Sequence, residues 1–261
     1  MPDPDPQRPG QMGWTPKRPD NPARPDPHPL LALFLDAAEG RFPPVDGGVT
    51  VLPPPGGGIE CSVAFTGHAV VATALSSREV AALGPDGFGG SLAPDFLRAL
   101  AGPRGWIDVV DATLAARGTG GPPRLAELAG AHDHPRVRHA RRVRTNVRVH
   151  GDERGLVTLA DGLAGRRELS IELHDPRPGP GPGTSSSPGP GPGRGHGRAL
   201  LADALSLVPE GEPVFAAVAP GNARSLRAFL ACGFVPIGSE VLLRPQRTDP
   251  PARTVTRPTR A

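Results

Sequence analysis

Gly195-His196-Gly197-Arg198-Ala199-Leu200-Leu201 decides the fold. Two glycines stand just ahead of Leu200, Leu201, Ala204, Leu205 and Val208, an apolar set at helical spacing, so a loop here turns into a helix running from about Gly197 to Leu207. The start of such a helix presents free backbone N–H groups and the positive end of the helix dipole, a setting suited to a diphosphate. The unit then repeats. Pro213-Val-Phe-Ala-Ala-Val218 reads as a buried strand of the parallel type, and Pro220-Gly221-Asn222-Ala223-Arg224-Ser225 opens a second helix, capped by Asn222 and closed by Gly233. Two adjacent strand-to-helix units make a cleft rather than a single turn.

Spacing separates the familiar glycine loops. The Lys-Ser/Thr ending of a triphosphate-binding P-loop is missing. A dinucleotide fingerprint needs a third glycine where this chain has Leu200, and an acid at the end of the next strand, which here ends in Ala219-Pro220. The ordered pair of segments instead resembles the acyl-coenzyme A binding core of the GCN5-related N-acetyltransferases. That family's pattern is Gln/Arg-x-x-Gly-x-Gly/Ala leading into an apolar helix. Gly195 and Gly197 match it with Pro192 at the first position, and a shifted register runs from Arg194 through Gly197 and Ala199. The likeness covers residues 130–245, about half the chain.

The strand before the loop, Glu168 to His174, alternates Leu169, Ile171 and Leu173 with Glu168, Ser170, Glu172 and His174. Four polar side chains on one face of a central strand call for a wet cleft on that side. The resemblance implies that the backbone near Ile171, Glu172 and Leu173 pairs with the pantetheine amides, and that Glu168 or Glu172 accepts the proton of the attacking amine. It implies cofactor contacts from Arg194, Gly195, His196, Gly197, Arg198 and Ala199, and from Asn222, Ser225 and Phe229 on the second helix. Where the family usually carries a tyrosine that protonates the departing thiolate, this chain has Phe229, and it contains no tyrosine at all. A thiol of pKa about 8.5 is still a tolerable leaving group near neutrality.

The remaining sequence divides by composition. Proline and glycine make up about a quarter of the 261 residues, so part of the chain should lie outside packed structure. Residues 1–28 alternate proline with polar residues and read as a disordered tail; 178–193 reads as a disordered Pro-Gly insertion; 246–261 reads as a second tail. Between them lie 29–118, a mixed α/β lobe of unknown role, and 119–245, the acyl-CoA-binding domain. In the lobe we expect a helix after Pro29, strands at 49–52, 59–65 and 69–73 with the last two as a hairpin, a helix capped by Ser76, another after Pro94, and a strand at 106–110. In the domain, strands at 143–150, 156–159 and 168–174 precede the loop.

The formal charge is +3 with one lysine, too slight an excess to imply general nucleic-acid binding. Cys61 and Cys232 are distant and flanked by apolar residues, which fits free thiols and a reducing cytoplasm. Neither a secretory signal nor an apolar stretch near the roughly 20 residues that span a bilayer is evident. His132-Asp133-His134 lacks a third ligand at a metal-binding spacing.

The resemblance therefore implies an α+β fold: a mixed, mostly antiparallel sheet with helices on both faces, splayed between the strands at 168–174 and 213–218, plus the N-terminal α/β lobe. It implies transfer of an acetyl group from acetyl-CoA to a primary amine by direct attack, without metal. The acceptor is a small-molecule or peptide amine, and a homodimer is left open. Two alternatives stay open. One is an inactive module of the same shape that binds acyl-CoA or a protein partner. The other is a nucleic-acid adaptor using Arg136, Arg138, Arg141, Arg142, Arg144 and Arg148, which we place on an edge strand.

Overall fold

The computed structural model describes residues 26–174 and 195–247. The expected tail as far as residue 25, the Pro-Gly insertion, Arg194 and the segment from 248 onward lie outside the described residues. The chain begins with helix α1 (Pro29–Ala38), whose first turn holds proline where an N–H would be unpaired anyway, and whose Leu30 N–H donates to the His28 ring at 3.2 Å. Strands β1 (Val49–Leu52), β2 (Glu60–Phe65) and β3 (His68–Ala72) follow, β2 and β3 as the expected antiparallel hairpin. Ser76 and Glu79 form a reciprocal capping box at the start of α2 (Ser77–Ala82). Next come α3 (Pro94–Ala101), β4 (Trp106–Ile107), β5 (Asp111–Arg117), β6 (Ala126–Glu127) and α4 (Pro135–Val143). The last portion holds β7 (Thr145–Asp152), β8 (Gly155–Asp161), β9 (Arg167–Leu173), α5 (His196–Leu205), β10 (Pro213–Val218), α6 (Ala223–Ala231) and β11 (Val235–Arg244).

Among the described residues the strands form one mixed, mostly antiparallel open sheet, in the order β1-β3-β2-β11-β5-β10-β9-β8-β7-β6, with β4 on β11. The boundary expected near residue 118 is corrected by this order. Strand β5 lies between β10 and β11, pairing Ala112 to Arg117 with β10 and Asp111 to Ala115 with β11, and β2 pairs with the far side of β11. Residues 29–118 thus complete the sheet of the later half and are not a separate lobe. The strand expected at 106–110 shrinks to two residues, and the long one starts at Asp111.

Side-chain alternation assigns the layers. Leu114, Leu169, Val214, Ala216 and Val218 point to one face, where Leu200, Leu201, Ala204 and Leu205 of α5 and Phe229 of α6 cover them. Ala115, Phe215, Cys61 and Val63 point to the other, under Leu30, Phe34 and Ala37 of α1. Helix α4 lies on Val149 and Leu156 through Val137, and α3 covers Val71, Val241 and Leu243. The expected tail is corrected at its first two residues. The Gln246 N–H donates to the Ala101 carbonyl at 2.8 Å, and Arg247 pairs with the buried carboxylate of Glu60.

Candidate active site

Strands β9 and β10 run parallel yet share a single register pair, Glu168 with Phe215, near the start of each. Beyond it they diverge. Alternate peptide groups of β9 past this point face a gap, with no strand partner there among the described residues. A cavity of about 240 Å³ fills the gap. Glu168 and Ser170 of β9, Asp111 of β5, Glu240 of β11 and Arg136, His139 and Arg144 line it from the α4 side. From the opposite face it is lined by Val218 and by Asn222, Ser225 and Phe229 of α6, so it passes through the sheet at the splay. It is smaller than the roughly 300–1,000 Å³ of drug-sized sites. Of the polar face of β9, Glu168 and Ser170 line the cavity, and Glu172 and His174 do not.

Both helix starts that frame the gap follow from local sequence. Gly195 sits at φ +109°, a backbone conformation that side chains disfavour, and no side chain caps the first turn of α5. A Cβ on Gly197 would lie 3.6 Å from Leu173 Cδ1 and 3.8 Å from Ala228 Cβ, so the first turn of α5 leans on β9 and α6 at the rim of the gap. Asn222 accepts from the Ser225 N–H at 3.2 Å, capping α6 as expected. Phe229 is buried edge-to-face against Phe234, with ring centroids 4.8 Å apart. Of the residues expected at the cofactor, Ile171, Asn222, Ser225 and Phe229 line the cavity, whereas Gly195, Gly197 and Leu173 lie outside its lining, with Gly197 packed beside Leu173 and Ala228. His196, Arg198 and Ala199 are exposed on the first turn of α5.

The two carboxylates expected to serve as base are placed differently from that expectation. Glu168 is buried in an ion-pair network: Arg166 Nε donates to Oε1 at 2.8 Å, the Leu163 N–H donates to the same oxygen at 3.0 Å, and Arg144 Nε lies 2.7 Å from Oε2. Burial alone would raise this carboxyl, but the guanidinium groups of Arg144 and Arg166 outweigh it and hold the group well below the usual carboxylate range. A carboxylate so held is a poor proton acceptor, and we reassign Glu168 to the structural network. Arg166, fully buried, bridges on to Glu240 at 2.6 Å and lies over the Phe34 ring at 4.2 Å. Thr113 Oγ1 donates to the other oxygen of Glu240 at 2.6 Å. Glu172 stands half-exposed outside the cavity lining, paired with Arg136 at 3.1 Å.

Sequence reasoning missed Asp111. It lies directly opposite Glu240 across the β5–β11 pair and lines the cavity, and among the described residues no hydrogen-bond donor reaches its carboxylate. Burial pushes this carboxyl up to about 7; Glu240, Asp108 and Glu168 add to the push, and Arg144 opposes it. The neighbouring His139 is held below the ordinary imidazole range by burial. Apart from Asp108, the groups around Asp111 come from three distant segments, so its own stretch of sequence does not mark it. The arginine segment is corrected too: Arg136, Arg138, Arg141 and Arg142 lie on helix α4, with Arg136 and the following Arg144 turned to the cavity and the other three exposed, and only Arg148 lies on a strand, exposed on β7.

Cys61 is buried and free, its thiol pushed up to about 12 by burial, and Cys232 is a half-buried free thiol. Among the described residues no group of three or more His, Cys, Asp or Glu side chains is disposed to hold a metal, and no helix is long and apolar enough to cross a membrane. No protein-family model matches the chain, and no curated protein matches it.

Proposed function

We propose that this protein is an N-acetyltransferase of the GCN5-related type, moving an acetyl group from acetyl-CoA to a primary amine by direct attack. The observation that carries the reading is the cavity through the sheet at the β9–β10 splay, with the Asn222-capped start of α6 in its lining and the uncapped first turn of α5 packed beside Leu173 of β9 and Ala228 of α6. In this reading the diphosphate meets the first-turn N–H groups of α5, where the helix dipole favours negative charge. The pantetheine arm follows the unpaired edge of β9 from Ile171 to Leu173, beside Asn222. The thioester reaches the cavity next to Phe229, and the amine enters from the α4 side. Strand N–H groups at the gap would hold the oxygen of the tetrahedral intermediate. The order of three antiparallel strands β7 to β9, α5, parallel β10, α6 and β11 supports the same assignment.

A second reading, an acyl-CoA-binding module without turnover, is favoured by Phe229, which places a hydrocarbon ring where a proton donor would speed thiolate departure. Thiol release from acetyl-CoA, followed with a panel of alkylamines, amino acids and lysine peptides, separates the two. Amine-dependent release supports the transferase, and acetyl-CoA binding without release supports the module. Absence of acetyl-CoA binding overturns both.

A further inference from the structure

We infer that Asp111 is the catalytic base of this site, taking the proton from the amine nitrogen as it attacks the acetyl carbon. The inference rests on the transferase reading and adds to it a residue outside the glycine-loop half of the chain. Among the four carboxylates that line the cavity, two are engaged: Glu168 by Arg144 and Arg166, and Glu240 by Arg166 and Thr113. Asp108 accepts from the Val109 N–H at 2.9 Å. Asp111 alone of the four has no donor among the described residues, and strand pairing fixes its backbone. Ala112 sits opposite Val218 at the open end of the splay, which brings Asp111 to the part of the gap where β9 and β10 have already parted.

Every element around Asp111 contributes charge. Glu240 faces it from β11, Asp108 from the preceding loop and Glu168 from β9, with Arg144, His139 and Arg136 on the α4 side. The three carboxylates and the burial favour the protonated form, and Arg144 favours the ionised one. The result is a carboxyl pushed up to about 7, which accepts a proton at the open gap and releases it near neutrality, the balance a general base requires. The neutral amine attacks the carbonyl carbon, the N–C bond forms, and the nitrogen's proton passes to an Asp111 oxygen. The C–S bond breaks with its electron pair staying on sulfur. Water protonates the coenzyme A thiolate, and Asp111 returns its proton to solvent.

The test uses the full chain and the variants Asp111→Asn and Asp111→Glu. Calorimetric titration with acetyl-CoA should give the same affinity for all three. Thiol release with the best amine of the panel should show kcat/KM of the wild type falling as pH drops through about 7, and Asp111→Asn should lose about 10²- to 10⁴-fold together with that inflection. Asp111→Glu should restore part of the rate. In parallel, the side-chain carboxyl of ¹³C-labelled aspartate should show one group titrating near neutrality that vanishes in Asp111→Asn. Turnover in Asp111→Asn within about threefold of wild type overturns the assignment, as does an Asp111 carboxyl titrating in the ordinary aspartate range near about 4. Binding without turnover from any amine overturns it as well, in favour of the module. Failure of all three proteins to bind acetyl-CoA instead defeats the transferase reading.

Discussion

Replacing Arg166 with methionine removes the cation between two buried carboxylates, and its cost follows from the contacts. Arg166 is fully buried, with Nε 2.8 Å from Glu168 and Nη2 2.6 Å from Glu240. Methionine can fill the space between Phe34 and Phe215 without replacing the charge. Arg144 remains beside Glu168, and Thr113 remains on Glu240. Breaking one side of a buried ion pair costs about 3–5 kcal/mol, which at about 2–4 °C per kcal/mol for a domain of this size lowers Tm by ~6–20 °C at neutral pH. The deficit depends on pH with a definite sign. In the wild type Glu168 is held low, so its contribution is present above the unfolded carboxyl pKa and lost as pH falls. In the variant only Arg144 and the Leu163 N–H still hold Glu168 down, so the stability this carboxylate contributes at neutral pH shrinks. The gap between the two proteins therefore widens as pH rises from about pH 4 to about pH 7. Thermal melts by circular dichroism across this range provide the assay. Adding Glu168→Gln and Glu240→Gln to Arg166→Met should recover most of the loss. A variant melting within about 2 °C of wild type at neutral pH, or a deficit that does not change with pH, would refute the reasoning.

The remaining predictions concern the helices that frame the gap and one cap. Gly197→Val should abolish calorimetric binding of acetyl-CoA in a folded protein, because the added methyls press on Leu173 and Ala228 and close the rim where α5 meets β9. Phe229→Tyr places a phenol at the cavity wall and should raise turnover on the alkaline side of the pH–rate profile, with acetyl-CoA affinity unchanged; identical profiles would mean that Phe229 does not face the thioester. Ser76→Ala removes the capping box of α2 and should cost about 1 kcal/mol, a Tm decrease of ~2–4 °C.

Where local chemistry decides structure, the sequence was legible. Gly195, Asn222, Gly233 and the Ser76–Glu79 pair act within one turn, and the elements they bound lie where spacing placed them. The alternation of β9 likewise marks the face on which Glu168 and Ser170 meet the cavity. Strand β5 was not legible, because Asp-Ala-Thr-Leu-Ala-Ala-Arg is alanine-rich and has little strand preference of its own. Pairing on both edges, with β10 and β11, makes it a strand. Helix α4 was hidden because it buries only Val137 and Ala140, leaving no apolar stripe among its arginines. These two elements carry Asp111 and Arg136, with Arg144 directly after α4, and so the α4 side of the cavity stayed invisible. The role expected of Glu168 failed for a related reason. Its face on β9 could be read from alternation, but the clamp from Arg144 depends on how α4 ends against the sheet.

Hydrogen–deuterium exchange with and without saturating acetyl-CoA tests most directly the claim that the coenzyme lies in the splay. The account predicts slowed exchange at the first-turn amides of α5 and along β9 from Ile171 to Leu173, with the outer strands β1 and β6 unchanged. Saturable binding that leaves those amides unprotected, or protection confined to another part of the sheet, would contradict it.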